Sequence, residues 1–522
     1  MKMLFRFKEE TQTASRINST IKNVFSGIFT TFVMLIFPFA SRTIFIYVLN
    51  TEYLGINGLF TNILGVLSFS ELGIGVAITF SLYKPLAEND IEKIKSIMHL
   101  YRRIYEIIAV IIMICGLCLL PFLKYIIKGG ADIEYLQIYY IIFLFNSAFS
   151  YLLIYKQTLL IADQKNYILS NINAVAIIIK TIIGCVVLIV FRNYIAYLLI
   201  DVFFGIIKNL YINHEINKVY PYLLSKDHNK MDKSELEPIK KNVKALILHK
   251  VGGISVYQSD NIIISSFIGV ISVGILSNYT MIINCINQFA GIMFSSATAS
   301  FGNVIISEKS EKKYELFKVY NFLGFWIYGC TSICLFNLIQ PFIIGWIGGN
   351  MLIPFSVVFL IVINYYITGM RAIVENVKGA AGLYNNDKYI SLMQGGINLI
   401  ISIALVIPLG IFGVYIGTIV SGILPLIIRP YIIYKNIFNV KVEYYFHSLI
   451  LYSLIITVIG IAVFIINYLF FSRVTVLNFI IRSLICIILP NITIFLIYRK
   501  SKEYLYLKEM LYKLLNKGAA NK

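Results

Sequence analysis

Long apolar runs separated by short polar segments dominate the pattern of the chain. Each run is long enough to cross a bilayer as a helix, which takes about 20 residues at a rise of about 1.5 Å per residue. Backbone polar groups inside a membrane must be satisfied internally, so runs of this kind predict helices. We predict about fourteen spans, at residues 20–48, 54–83, 100–123, 133–161, 167–191, 194–214, 243–268, 271–306, 317–339, 351–379, 387–408, 410–434, 446–468 and 475–498. The expected fold class is an all-α polytopic membrane protein.

Composition and charge agree with this expectation. Hydrophobic residues make up 58% of the 522 residues and charged residues 14%, and the mean hydropathy is +0.79. The net charge of +19 reflects 45 lysines and arginines, most of which fall in alternate loops between the predicted spans. The opposite loops hold Lys124, Lys128, Arg192 and Arg473. By the positive-inside rule both termini are cytoplasmic, and the basic charge predicts no nucleic-acid partner.

The two halves of the chain repeat each other. Leu54-Gly55-Ile56 aligns with Val273-Gly274-Ile275, and the same register places Ser41 on Asp260. An even number of spans in each half predicts two six-helix bundles in the same membrane orientation, with a substrate site between them. We therefore predict an N-terminal bundle at 1–216, a cytosolic linker at 217–242, a C-terminal bundle at 243–440, and two further helices with a basic cytosolic tail at 441–522. The first span is expected to serve as the targeting signal.

The stretch from residue 51 to residue 103 is the most distinctive part of the chain. Glycines and the carboxylate of Glu71 interrupt its apolar run, and a carboxylate at membrane depth faces protein or water. We expect the run to stop at Lys84-Pro85, before a basic amphipathic segment. The segment resembles the polysaccharide repeat-unit transporters of the MATE-like MOP flippase superfamily. That resemblance is carried by Glu52-Tyr53-Leu54-Gly55-Ile56, Gly58-Leu59-Phe60, Glu71-Leu72-Gly73-Ile74-Gly75 and Tyr83-Lys84-Pro85-Leu86-Ala87.

The resemblance implies a flippase for a polyprenyl-diphosphate-linked oligosaccharide in the bacterial cytoplasmic membrane. Its partners would be that lipid-linked sugar, membrane lipids, a polysaccharide polymerase and glycosyltransferases. A lipid II-type peptidoglycan precursor flippase stays open as an alternative, as does a MATE-type drug or cation antiporter. An antiporter for cations is expected to favour deep carboxylates, whereas deep cations outnumber deep anions in this sequence. A membrane glycosyltransferase or polymerase would be expected to carry a sizeable catalytic loop, and the predicted outer loops are short.

Two single cations inside predicted spans are candidates for binding a diphosphate. Arg42 follows Pro38 in the first span, and its planar guanidinium suits phosphate oxygens. Its alternative role is to reach the outer membrane interface. Lys180 lies near the middle of the fifth span, too deep to reach the interface easily.

Two polar stripes supply further candidates. In the tenth span Asn364, Thr368, Arg371, Glu375 and Lys378 recur at helical spacing, and Arg371 and Glu375 can pair. They form either a cavity wall or a structural ion pair. In the eighth span Asn284, Gln288, Gly291, Ser295, Thr298 and Gly302 form an uncharged stripe that suits sugar hydroxyls or interhelical hydrogen bonds.

Glu71 and Asp260 are candidates for coupling transport to H⁺ or Na⁺. The sequence holds no G-x-x-x-x-G-K-[ST] phosphate loop, so ion gradients or substrate supply are expected to drive transport. We expect neither a cofactor nor enzymatic activity. Cys115-x-x-Cys118 matches a metal-binding spacing, but it lies within an apolar run and is interpreted as packing rather than as a metal site.

Overall fold

The chain is described by a computed structural model over residues 2–68, 74–128, 133–225, 256, 258–383, 385–471 and 473–520. Within these ranges the side chains of 2–21, 24, 76–77, 292, 295–300, 303, 306–307, 385, 511 and 513–520 are not described. The chain divides into two compact units, Met1–Gly274 and Ile275–Lys522. The first unit thus extends past the predicted linker, and the four-part division stays a prediction.

The described part of the first unit consists of helices with short connections. They are α1 (Lys2–Val48), α2 (Thr51–Leu67), α3 (Ile74–Glu88), α4 (Ile91–Leu119), α5 (Leu123–Ile126), α6 (Leu136–Ile154), α7 (Gln157–Ala162), α8 (Asn166–Phe191), α9 (Tyr194–Val219) and α10 (Ser259–Phe267). Side-chain caps set two of the starts. Asp90 accepts a hydrogen bond from the Lys93 amide at 3.0 Å, and Asn193 accepts one from the Ala196 amide at 3.1 Å. Such caps satisfy amides that a helix start leaves without a partner.

The described part of the second unit also consists of helices with short connections. Its helices are α11 (Val270–Ser307, whose first turn belongs to the first unit), α12 (Ser310–Ile347), α13 (Phe355–Ala380), α14 (Ile390–Leu409), α15 (Ile411–Ile433), α16 (Glu443–Phe470), α17 (Val476–Tyr498) and α18 (Lys502–Ala520). The described part of the chain contains no strand. Twelve of its helices are long and apolar enough to cross a membrane. The predicted all-α, multi-pass fold is confirmed.

Two of the predicted spans, 54–83 and 133–161, are each divided between two helices; in the second, α6 ends at Ile154 and α7 begins at Gln157. The run 54–83 is not one helix, because α2 ends at Leu67 and α3 begins at Ile74. Nor does it stop at Lys84-Pro85, since α3 continues through Pro85 to Glu88. Most of the predicted span 243–268 lies outside the described residues, apart from its last part in α10.

The glycines that the internal repeat aligns meet at one helix crossing. A Cβ on Gly55 of α2 would lie 2.0 Å from the Val270 carbonyl oxygen of α11, and one on Gly274 would lie 2.5 Å from the Thr51 carbonyl oxygen. Backbone atoms therefore pack directly against each other here, which small residues permit in membrane helices.

The α8 helix shows how the first unit separates lipid from interior. Val175, Ile179, Ile182, Val186 and Val190 recur at helical spacing and are all exposed. An unbroken row of exposed aliphatic side chains is typical of a surface that faces acyl chains. Lys180 lies beside this row, on the side of the helix that lines a cavity.

Aromatic packing anchors the last helices of the second unit. The rings of Phe325 and Tyr452 stack at 4.2 Å, and Tyr498 joins them. The Trp326 indole donates a hydrogen bond of 2.7 Å to Asn491 of α17. The Tyr504 ring of α18 lies 6.1 Å from that of Trp326. This part of α18 therefore packs on protein.

Candidate functional site

The first unit holds a polar cavity of about 660 Å³. Its walls come from α2, α6, α8 and α9, and a cavity of this volume lies in the range of small-molecule sites. The charged lining residues are Lys180, Asp201 and Lys208. The uncharged polar ones are Asn57, Thr61, Ser68, Asn146, Ser147, Ser150, Tyr197 and Asn209.

An ion pair crosses the cavity wall between α8 and α9. The Lys180 ammonium lies 2.5 Å from the Asp201 carboxylate, and the two side chains are 41% and 35% exposed. Only two residues connect α8 to α9, so the helices run antiparallel and bring these side chains together. The Asn146 amide lies 3.4 Å from the other oxygen of Asp201. Lys180 therefore lines a cavity within the first unit and has a carboxylate partner that the sequence analysis did not include; its role in binding a diphosphate stays a prediction.

Lys208 is a second cation on the same wall. It lies two turns beyond Asp201 on α9, and it interacts electrostatically with both Lys180 and Asp201. Two lysines and one carboxylate give the cavity a net positive charge. A desolvated pair of like charges is unfavourable, so this arrangement favours water or an anion in the cavity.

Sequence reasoning missed Asp201 and Lys208 for different reasons. Asp201 lies well inside the predicted span 194–214, and the rule that flags charges at membrane depth applies to it directly. Lys208 lies near the predicted end of the same span, where a lysine side chain can reach the membrane interface. Its helix continues to Val219, so the residue is placed well before the helix end.

Hydroxyl and amide groups line the rest of the cavity. The Thr61 hydroxyl donates to the Asn57 carbonyl at 2.7 Å, and the Ser150 hydroxyl donates to the Ser147 carbonyl at 2.7 Å. Local bonds of this kind satisfy the hydroxyl hydrogens and leave the oxygen lone pairs as acceptors. The cavity can thus offer both cationic donors for phosphate and acceptors for sugar hydroxyls.

Arg42 lies close to this cavity without being one of its lining residues. It is half-buried on α1, and it interacts electrostatically with Tyr197 of the cavity wall. The structure therefore brings Arg42 and Lys180 to the same region of the first unit. That Arg42 binds substrate stays a prediction.

The second unit contains a compact network of buried charges. Arg371 lies 3.3 Å from Glu375 on α13, and Arg429 of α15 also pairs with Glu375. Arg429 reaches Asp387 at 2.8 Å and the Ser391 hydroxyl at 3.0 Å. Lys378 pairs with Asp387 as well.

This network joins all three predicted charges of the α13 stripe and adds two that were missed. Arg371, Lys378 and Asp387 have side chains that are 8%, 6% and 0% exposed, whereas Glu375 is 38% exposed. Buried charges require such mutual pairing, because each one alone would lose its hydration without compensation. The arrangement ties α13, α14, α15 and the turn at Asp387 together. A substrate-binding role for Arg371, Glu375 and Lys378 stays a prediction.

The remaining candidates are dispersed. Asn284 and Gln288 of α11 are exposed, and the side chains of Ser295 and Thr298 lie outside the described residues. Asp260 occupies the first turn of α10, where the helix dipole stabilises a carboxylate. Glu71 is not among the described residues, so its predicted coupling role with Asp260 stays a prediction. Cys115 and Cys118 are exposed on α4 rather than packed, contrary to their interpretation as packing residues.

Comparison with known proteins gives matches in structure alone. No family model and no curated protein matches the chain. The lipid II flippase MurJ, in an inward closed conformation, aligns with a TM-score of 0.61 at 16% identity, covering 92% of this chain and 99% of MurJ. An inward-facing multidrug resistance MATE transporter of the MOP superfamily aligns with a TM-score of 0.58 at 15% identity, covering 77% and 96%.

A third structure gives the same result. A Vibrio cholerae MATE transporter aligns with a TM-score of 0.58 at 13% identity, covering 83% of this chain and all of that one. These likenesses establish the fold of MATE-like transporters and MurJ. The identities are too low to carry a substrate.

Proposed function

We propose that this chain, which has the fold of MATE-like transporters and of the flippase MurJ, carries a polyprenyl-diphosphate-linked oligosaccharide across the bacterial cytoplasmic membrane for surface polysaccharide synthesis. Its termini would lie in the cytoplasm, and its partners would be the glycosyltransferases that build the sugar and the polymerase that uses it. The observation that carries the proposal is the net-positive polar cavity around Lys180 and Lys208.

The chemistry of the cavity supports this substrate. Passing a diphosphate-sugar head through hydrocarbon is opposed by several kcal/mol for each charge, or on the order of 10 kcal/mol in all. A cavity lined by two lysines and by amide and hydroxyl groups replaces the lost hydration with charge-assisted and neutral hydrogen bonds. Alternating access of that cavity would then move the head group while the polyprenyl tail stays in the bilayer.

Binding of a diphosphate would replace Asp201 as the partner of Lys180. The Asp201 carboxylate pairs with the Lys180 ammonium at 2.5 Å. A diphosphate oxygen would compete with this carboxylate for the same ammonium. Glu71 and Asp260 stay the candidates for coupling to H⁺ or Na⁺.

One alternative has its own supporting observation. The alignment with MurJ covers 92% of this chain, against 77% and 83% for the two MATE transporters. A lipid II-type peptidoglycan precursor flippase therefore remains the second candidate. An exporter of drugs or cations fits the positive cavity less well.

The test is transport by the purified full-length chain in proteoliposomes. The probe is a fluorescent polyprenyl diphosphate carrying an oligosaccharide, and its loss from the outer leaflet is followed by chemical quenching. Lys180→Gln and Lys208→Gln are each expected to slow transport about tenfold or more, because a hydrogen bond to a charged group contributes about 1.5–3 kcal/mol. The matched control is Lys124→Gln, which removes an exposed lysine away from the cavity.

Transport at the wild-type rate by both cavity variants would refute the proposal. A lipid II probe that is moved faster than the oligosaccharide probe would favour the second candidate. Transport of a lipophilic cation, with neither lipid-linked probe moved, would favour the antiporter.

A further inference from the structure

A second cavity, of about 490 Å³, lies at the end of the first unit where α4 begins. Among the residues that the structure describes, it shares no lining residue with the cavity around Lys180. Its described lining consists of Lys95, Met98, His99, Arg102, Tyr155, Lys156, Leu223, Leu224 and Ser225. We call it the α4 pocket.

One face of α4 supplies most of the basic groups in this pocket. Lys95, His99 and Arg102 follow one another at spacings of four and three, which places them on the same side of a helix. Lys95 pairs with Glu92 at 2.9 Å, and the Arg102 Nε pairs with Glu106 at 2.8 Å. Neither carboxylate lines the pocket. The Glu106 bond engages the Nε of Arg102 and leaves its two terminal nitrogens for other partners.

Lys156 faces this row from the turn that follows α6. Its ammonium donates at 2.7 Å to the side-chain oxygen of Asn217, an amide that does not neutralise the charge. Burial and the positive charge of Arg102 lower the pKa of Lys156. Two cations are thus held close to each other in a partly desolvated pocket, and an anion between them would remove their repulsion.

Part of the pocket lining is apolar. Leu223 and Leu224 belong to the short turn after α9, and Leu224 is 64% exposed. An exposed leucine beside a cluster of basic groups is typical of a surface that meets both the head group and the glycerol region of a lipid.

We propose that the α4 pocket binds a phosphate group, which either belongs to the head group of an anionic membrane lipid or is free in solution. Arg102 and Lys156 provide the principal contacts, Lys95 adds positive charge, and a guanidinium with an ammonium suits phosphate better than it suits a single carboxylate. The α4 pocket is distinct from the cavity around Lys180, and the inference does not depend on the proposed transport substrate.

The experiment uses the full-length chain with Lys180→Gln and Lys208→Gln as the background, so that the transport cavity does not contribute to phosphate binding. Into this background we introduce either Arg102→Gln with Lys156→Gln, or the matched pair Arg192→Gln with Lys124→Gln. The second pair removes one exposed arginine and one exposed lysine outside both cavities. Inorganic diphosphate is titrated at constant ionic strength, and retention of phosphatidylglycerol by protein from mixed nanodiscs is measured by native mass spectrometry.

The pocket variant is expected to bind its phosphate ligand about tenfold or more weakly than the matched variant, because charge-assisted hydrogen bonds are about twice as strong as neutral ones. Weakening of diphosphate binding alone identifies a free phosphate as the ligand. Weakening of phosphatidylglycerol retention alone identifies a lipid. If the pocket variant and the matched variant bind both probes equally, the proposal is wrong.

A swap variant, Arg102→Lys with Lys156→Arg, guards against a folding defect. It keeps both charges and is expected to retain binding. If the glutamine variant does not elute as a monodisperse protein, the single change Lys156→Gln replaces it, with Lys124→Gln as its control.

Discussion

The crossing of α2 and α11 provides the sharpest test of the packing described above. An alanine at Gly55 places its Cβ 2.0 Å from the Val270 carbonyl oxygen, whereas ordinary contact begins at 3.4 Å. The obstructing atom is backbone, so no side-chain rotation relieves the clash and the helices must separate. Overpacking costs typically reach about 3 kcal/mol, and alanine recovers about 1 kcal/mol of helix propensity over glycine. We expect a net loss of about 2 kcal/mol from Gly55→Ala.

The matched control lies one turn away on the same helix. A Cβ on Gly58 would lie 3.6 Å from a methyl group of Val273, which is ordinary contact. Gly58→Ala therefore gains helix propensity without a clash and is expected to be neutral or stabilising. Purified protein is heated in detergent, and the fraction that remains as a folded monomer is measured by size-exclusion chromatography with tyrosine and tryptophan fluorescence detection.

A second substitution probes the same contact from the other helix. A Cβ on Gly274 would lie 2.5 Å from the Thr51 carbonyl oxygen, so Gly274→Ala is expected to destabilise as well. Because either change separates the same two helices, the double variant is expected to lose less than the sum of the single losses. If Gly55→Ala melts at the same temperature as Gly58→Ala, the backbone contact is not present in the protein and the reasoning fails.

Three further predictions concern polar contacts inside the two units. Asp201→Asn and Lys180→Gln each remove one partner of the cavity ion pair. The double variant is expected to lose about 1 kcal/mol less stability than the sum of the two single losses, a small coupling because both side chains are over a third exposed. Melting experiments in which the two single losses add up would show that the pair does not form. In the second unit, Arg429→Met removes one cationic partner of Asp387 and Glu375 and is expected to lower stability by about 3–5 kcal/mol. The control Lys435→Met changes an exposed lysine and is expected to have little effect on stability. Equal melting temperatures for the two variants would contradict the network. Trp326→Phe removes the 2.7 Å hydrogen bond to Asn491 and is expected to lower stability by about 1 kcal/mol. The loss is expected to appear as faster proteolysis of α17. An unchanged cleavage rate would show that the hydrogen bond does not hold this helix.

The sequence by itself determined the fold class and most of the membrane helices. Apolar runs of bilayer length carry that information locally, because a helix satisfies its own backbone hydrogen bonds in hydrocarbon. The same reasoning selected Lys180 as a candidate for binding substrate. It also placed Arg371, Glu375 and Lys378 on one stripe, since helical periodicity fixes which residues share a face.

Only the tertiary structure decided which charges meet. Asp201, Asp387 and Arg429 belong to helices or turns other than those of their partners, and no local pattern specifies the distance between two such elements. The interruption of the run 54–83 between α2 and α3 also escaped prediction, because its apolar composition suits one helix as well as two. Hydropathy records whether a residue prefers lipid, whereas a binding cavity depends on the side chains that separate helices bring to the same place.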